Sequence, residues 1–256
     1  MNLHNLNSKF ALVATVGLVL AGGVAAHASD MDNRIEASAK NSYNFKTYLK
    51  NDNIKVDSND GVVTLTGSVA FEYHKYLAEN TVSDLPGVKS VNNQLSIPGE
   101  QPTDKSDAWI TMKVKGVLAF HRNVSAKDTE VNTKNGIVTL SGKADSEAQK
   151  QLTREYARDV EGVSEVRNEL VVSTPGKPHH RTVGEKIDDS SITAQIKTAL
   201  VFHKSTHPVD TKVHTKNGVV TLSGEAHTAA ERELVAKLAE DVNGVKHVRN
   251  RMTVRK

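Results

Sequence analysis

A seven-residue block that occurs three times constrains this chain more than any other feature: GVVTLTG at 61–67, GIVTLSG at 136–142 and GVVTLSG at 218–224. The offsets between copies, 75 and 82 residues, hold without a gap well beyond the block itself. Asp32, Asp107 and Asp189 fall in register, as do Phe45, Phe120 and Phe202, and Asn93, Asn168 and Asn250. A self-match at a fixed period settles the architecture before any residue chemistry is read. The period is too long for a solenoid unit and suits a small self-contained domain. The chain therefore reads as three copies of one module in tandem.

Within a module the pattern is helix, strand, strand, helix, strand. The three aspartates sit where an N-cap is expected. After Asp107, Ile110, Val114, Val117 and Leu118 recur at helical spacing, and after Asp189 so do Ile192, Ile196, Ala199 and Leu200. The first helix is expected to end near Phe120 or Phe202. Asp60-Gly61, Asn135-Gly136 and Asn217-Gly218 then mark tight hairpin turns, because Asn-Gly and Asp-Gly tolerate positive φ. Gly67, Gly142 and Gly224 are expected to let the chain turn sharply. The second helix opens with a capping box at Ser146 and Gln149 and at Thr228 and Glu231, whereas Phe71 and His74 depart from it in module one. An alternating strand closes each copy, and its asparagine is expected to satisfy nearby backbone groups. The fold class is α+β: three tandem αββαβ modules, each a three-stranded mixed sheet with two helices on one face.

Boundaries follow from punctuation and an N-terminal address. Residues 1–28 read as a signal peptide: Lys9, an apolar run from Phe10 to Val24, and a small-x-small site for cleavage after Ala28. Modules span 29–98, 103–173 and 184–256. Proline-bearing linkers separate them, and the second is longer, so modules two and three are expected to be less tightly coupled than one and two. The chain has no cysteine, which removes both disulfides and the acylated residue of a lipoprotein. Localisation in the Gram-negative periplasm follows.

An Asp-x-x-Ile helix start, a strand ending Val-Thr-Leu-Ser-Gly, and a closing Gly-Val-x-x-Val-x-Asn strand resemble the BON (bacterial OsmY and nodulation) domain. The resemblance covers nearly all of 30–256, three times over. It implies an αββαβ fold, the periplasm, no catalysis, and association with phospholipid membranes and envelope stress. Its pattern is mostly structural, so it assigns no binding residue to this chain.

Residues common to all modules belong to their shared fold, so function is sought where the modules differ. In module two, Trp109, Met112, Gly116 and Phe120 lie on a helix face distinct from the core stripe, with Lys113 beside them. Such a face suits an anionic membrane interface or a seam against a neighbouring module. The charge is uneven: residues 30–100 carry 7 basic and 10 acidic side chains, whereas 174–256 carry 14 and 9 and seven of the eleven histidines. Alternation along the last strand groups Arg249, Arg251 and Arg255 on its non-core side. His203 and His207 have metal-like i, i+4 spacing, with His179, His180 and His214 as candidates to join them in space, but a solvated polar edge is the default. No cofactor, phosphate loop or catalytic constellation is found, and nothing in the pattern fits nucleic acid. The expected lipid-binding residues are Trp109, Met112, Lys113, Phe120, Arg249 and Arg251. The expected partner is an anionic phospholipid surface. The alternative is a chaperone-like module that shields unfolded exported proteins during osmotic stress.

Overall fold

The structure is a computed structural model that describes residues 22–99, 102–173, 186–206 and 210–255. Residues 1–21, His179, His180, His207 and the second linker lie outside that set. Module one comprises α1 (Gly22–Asn41), α2 (Tyr43–Thr47), β1 (Asn53–Asn59), β2 (Val62–Ser68), α3 (Glu72–Ser83) and β3 (Ser90–Asn93). Module two comprises α4 (Asp107–Ala119), β4 (Thr129–Lys134), β5 (Ile137–Ala144), α5 (Glu147–Arg158), β6 (Glu165–Asn168) and β7 (Val171–Val172). Module three repeats it with α6 (Asp189–Phe202), β8 (Thr211–Lys216), β9 (Val219–Ala226), α7 (Ala229–Glu240), β10 (His247–Asn250) and β11 (Thr253–Val254). The middle strand of each sheet pairs antiparallel with the strand before it and parallel with the strand after the second helix, which gives the mixed αββαβ module. In modules two and three the last strand breaks into two short pieces.

That break is made by the repeated asparagine. Asn168 accepts from the Leu170 amide and donates to the Lys150 carbonyl. Asn93 and Asn250 make the same pair of bonds with Leu95 and Lys75, and with Met252 and Arg232. Each turns the strand through its own i+2 amide and ties it to the second helix.

The repeated aspartates do a different job from the one expected. The caps are the preceding residues, Ser106 and Asp188, which accept from the amides of Trp109 and Ser191. Asp107, one residue inside α4, accepts from the amides of Asn135 and Gly136 at 2.7 and 2.9 Å. Asp189 grips Asn217 and Gly218 in the same way, and Asp32 grips Asp60 and Gly61. The carboxylate thus clamps the hairpin turn, whose residues 135 and 136 have φ of 53° and 73°. Bonds from Gly136 and Asn135 hold the Asp107 carboxyl below its ordinary range, and those from Ser58 and Gly61 do the same for Asp32.

Gly67, Gly142 and Gly224 lie inside strands, not at turns. Their φ values of 110–113° leave the place of a side chain to the partner strand, because a Cβ on Gly142 would meet the Asp128 carbonyl at 2.1 Å. In module one α2 is set off from α1 by Ser42, which is extended and caps α2.

The modules are not beads on a string. α6 is buried along most of its length, including Ser191, Thr193, Gln195 and Thr198. One side covers its own sheet through Ile192, Ile196 and Leu200, while Ala194 and Ala199 join the apolar cluster of module one. Asn44 of α2 donates to Thr81 and the Ser191 carbonyl and accepts from Gln195. Lys197 pairs with Asp84 at 2.9 Å. Modules one and three are therefore joined directly, although module two lies between them in sequence.

Candidate functional site: an outward basic sheet and the seams behind it

The three helical layers meet in the interior, so each sheet turns its other face outward. In module three β8 buries Val213 and Thr215 and exposes Lys212, His214 and Lys216. β9 buries Val220 and Leu222, which leaves Thr221 and Ser223 on the outer side. β10 buries Val248 and exposes His247 and Arg249, and Arg251 and Arg255 continue outward. Strand register places His214, Thr221 and Arg249 in one row across the sheet, and Lys216, Val219 and His247 in the next. Arg255 pairs with Glu225 at 3.1 Å. Among the described residues, Lys212, Lys216, Arg249 and Arg251 make no ion pair. The matching positions of module two include Glu130, Glu165 and Glu169, so the same face there is mixed in charge.

The Trp109 face of α4 serves another surface. Phe120 is fully buried, edge-to-face with Tyr48 and Tyr73 at ring distances of 5.1 and 6.0 Å, and belongs to the core of module one. This corrects its placement as a lipid-facing residue. Gly116 is buried because a Cβ there would stand 3.1 Å from the Tyr73 ring. Lys113 pairs with Glu72 at 3.0 Å and lies over the rings of Trp109 and Phe202. Trp109 and Met112 are half-buried, along a groove of about 400 Å³ shared with Glu72, Tyr76, Glu79 and Ile97 of module one. The helix face is thus a seam between modules. Arg249 and Arg251 lie on the far side of a different sheet, so the structure does not bring the two halves of the expected site together.

A second seam joins modules two and three with a local twofold character. Register equates His121 with His203 and Asp159 with Asp241. The pairs cross: His203 Nδ1 lies 2.8 Å from Asp159 Oδ2, and His121 Nδ1 lies 3.3 Å from Asp241 Oδ2. The two Nε2 atoms face each other at 3.3 Å, and His121 stacks on Tyr156, whose hydroxyl donates to Asp241. Burial pushes the His121 pKa down, partly opposed by Asp241. Burial works against ionised Asp159, but hydrogen bonds from His203 and Ser205 outweigh it and lower its pKa. Burial, reinforced by the Asp241 charge, raises the Tyr156 pKa. His203 therefore finds His121 as its neighbour, while His214 stands on the open sheet. Among the described residues, no group of three or more His, Cys, Asp or Glu has metal-binding geometry.

Known proteins are similar to this chain. Osmotically-inducible protein Y of Escherichia coli is 35% identical over 144 residues, 56% of this chain and 70% of that protein. Outer membrane lipoprotein DolP of Haemophilus influenzae is 30% identical over 153 residues, 59% of this chain and 76% of that protein. A Type III secretion protein of Chlamydia trachomatis, CdsD, aligns over 89% of this chain at 18% identity and a TM-score of 0.24, too low to carry an argument. The BON domain model matches residues 31–99, 106–174 and 188–256. Three successive matches over most of the chain, on the αββαβ modules just described, make this a member of the BON domain family.

Proposed function

We propose that this is a non-catalytic protein of the bacterial envelope that docks on anionic phospholipid surfaces through the outer sheet face of module three. The observation that carries it is the set of four cations on that face, Lys212, Lys216, Arg249 and Arg251, that make no ion pair among the described residues. Basic groups near an anionic leaflet contribute roughly 1 kcal/mol each, enough together for weak, reversible docking. Ser and Thr hydroxyls between them add donors for phosphate oxygens. The names of the two bacterial relatives, one osmotically inducible and one at the outer membrane, support an envelope setting. An export signal cleaved after Ala28 fits that setting, and the mass of the protein recovered from cells tests it.

Docking is tested by flotation of the full chain with vesicles of phosphatidylcholine alone or with added phosphatidylglycerol. Binding is expected only with the anionic lipid, to weaken with salt because exposed charges are screened beyond ~10 Å at 0.1 M, and to be lost in an Arg249→Glu, Arg251→Glu variant. Equal binding to both vesicles, or none, would end the lipid reading and favour the chaperone-like one. For that alternative the outer edge of module two, where Val171 is 66% exposed on β7, offers a strand for an extended client.

A further inference from the structure

We propose that the crossed His121–Asp241 and His203–Asp159 pairs form a pH-gated latch, which holds modules two and three together near neutrality and releases them when both imidazoles are fully protonated. The case rests on counting protons in a buried space. Asp159 can only accept while ionised, so the 2.8 Å contact places a proton on His203 Nδ1. A neutral His203 then has a bare Nε2, which accepts from Nε2–H of His121 across 3.3 Å. In that state His121 Nδ1 is also bare, and it is indeed a buried atom without a hydrogen bond. A third proton has a place there, facing Asp241 Oδ2 at 3.3 Å. The fourth does not. It would set two N–H groups and two like charges head to head between rings that are nearly inaccessible to solvent, with His121 at 1% and His203 at 2% exposure.

The remaining groups around the pair do not relieve this conflict. Asp241, from the end of α7, already accepts from Tyr156 and Asn123. Asp159, from the end of α5, accepts from Ser205. The nearby cations, Arg122 and Lys204, donate to the carbonyls of Val245 and Arg158 and add positive charge. Tyr156 stays neutral, since burial raises its pKa. The fourth proton, supplied by solvent, is therefore accommodated only if the rings separate. Separation also breaks the backbone bonds that cross the seam, Arg122 N–H to Asp241 O at 2.8 Å and Lys204 N–H to Asp159 O at 3.0 Å. The sign follows by linkage. A separated pair binds more protons than a closed one, so opening is favoured as pH falls below the ordinary histidine value of about 6.5.

Hydrogen exchange on the full chain, corrected for intrinsic rates, tests the latch at the Arg122 and Lys204 amides. Their protection is expected to fall between about pH 7.5 and pH 5, by at most about tenfold per pH unit for each proton taken up. The Gly136 and Gly218 amides, which bond within a module, keep theirs. His121→Phe retains a ring on Tyr156 and removes one facing nitrogen, so the pH dependence at Lys204 flattens. His203→Gln gives the same flattening from the other side. Seam amides that stay protected in the wild type at about pH 5 would overturn the latch, as would an undiminished pH dependence in either variant. If neither variant folds, the wild-type profile alone decides: loss confined to the seam supports the latch, and loss shared by the Gly136 and Gly218 amides overturns it.

Discussion

At the scale of single residues, repetition and chemistry together make positions interpretable. Asn168 was legible because a polar side chain at one strand position in every module needs a local backbone partner, and it has two. Asn168→Ala removes both bonds and should cost about 1–3 kcal/mol in chemical denaturation, as expected when buried backbone groups lose a partner. The aspartates were legible as helix-start residues but not as clamps, since the hairpin they hold is 28 residues away and only tertiary structure brings it near. Asp107→Asn should lower the melting temperature at neutral pH. Its carboxyl is held below the ordinary value of about 3.9, so the wild type keeps this stabilisation above that pH and loses it as pH falls toward the depressed pKa. The difference in melting temperature between the two proteins should therefore shrink at about pH 3. His74 shows how module one compensates for its missing capping box. In the other modules Gln149 and Glu231 accept from the amides of Asp145 and His227. At the matching place Asp52 accepts from the Ala70 amide and bonds His74 at 2.6 Å.

At the scale of elements, the hairpins and helix order could be read because turn chemistry and hydrophobic period are local signals. The glycines within β2, β5 and β9 could not be placed, because what excludes a side chain is a carbonyl at or just before the start of the partner strand. Gly142→Ala combines that clash with a strained φ of 113°. It should destabilise by more than about 1 kcal/mol, measured by urea denaturation, because alanine resists positive φ. For α4 the sequence displayed a second apolar face without saying what covers it. Apolar surface marks a contact, not its occupant. Here the occupant is α3 and its neighbours in module one, and Phe120 is deepest in it. Phe120→Ala should cost about 3–5 kcal/mol, the range for a buried aromatic. Trp109→Ala, at the half-buried rim, should lower stability less and leave vesicle flotation unchanged. A loss of flotation at unchanged melting temperature would return the lipid contact to α4.

At the scale of the whole molecule, period alone was misleading. It implied independent units, and linker length ranked only the coupling of modules two and three below that of one and two, leaving the contact between one and three unforeseen. The modules instead interlock: Phe120 of module two enters the core of module one, and Phe202 of module three enters that of module two. A fragment of residues 103–173 lacks the partners of Phe120 and His121, so its melt should be broad and its elution concentration-dependent. A sharp, concentration-independent transition would show that the module is self-sufficient. The histidine junction was half-visible in sequence, as two His and two Asp at equivalent positions, but their crossing requires the fold. α6 has a further consequence. The chain is synthesised from its N-terminus, yet Ala194 and Ala199 complete the apolar cluster of module one. The first module to leave the ribosome is thus unfinished when its own sequence ends, and until some two hundred residues have been made its α3 surface stays uncovered. Such late closure delays compaction of the first module until the opening helix of the third is available.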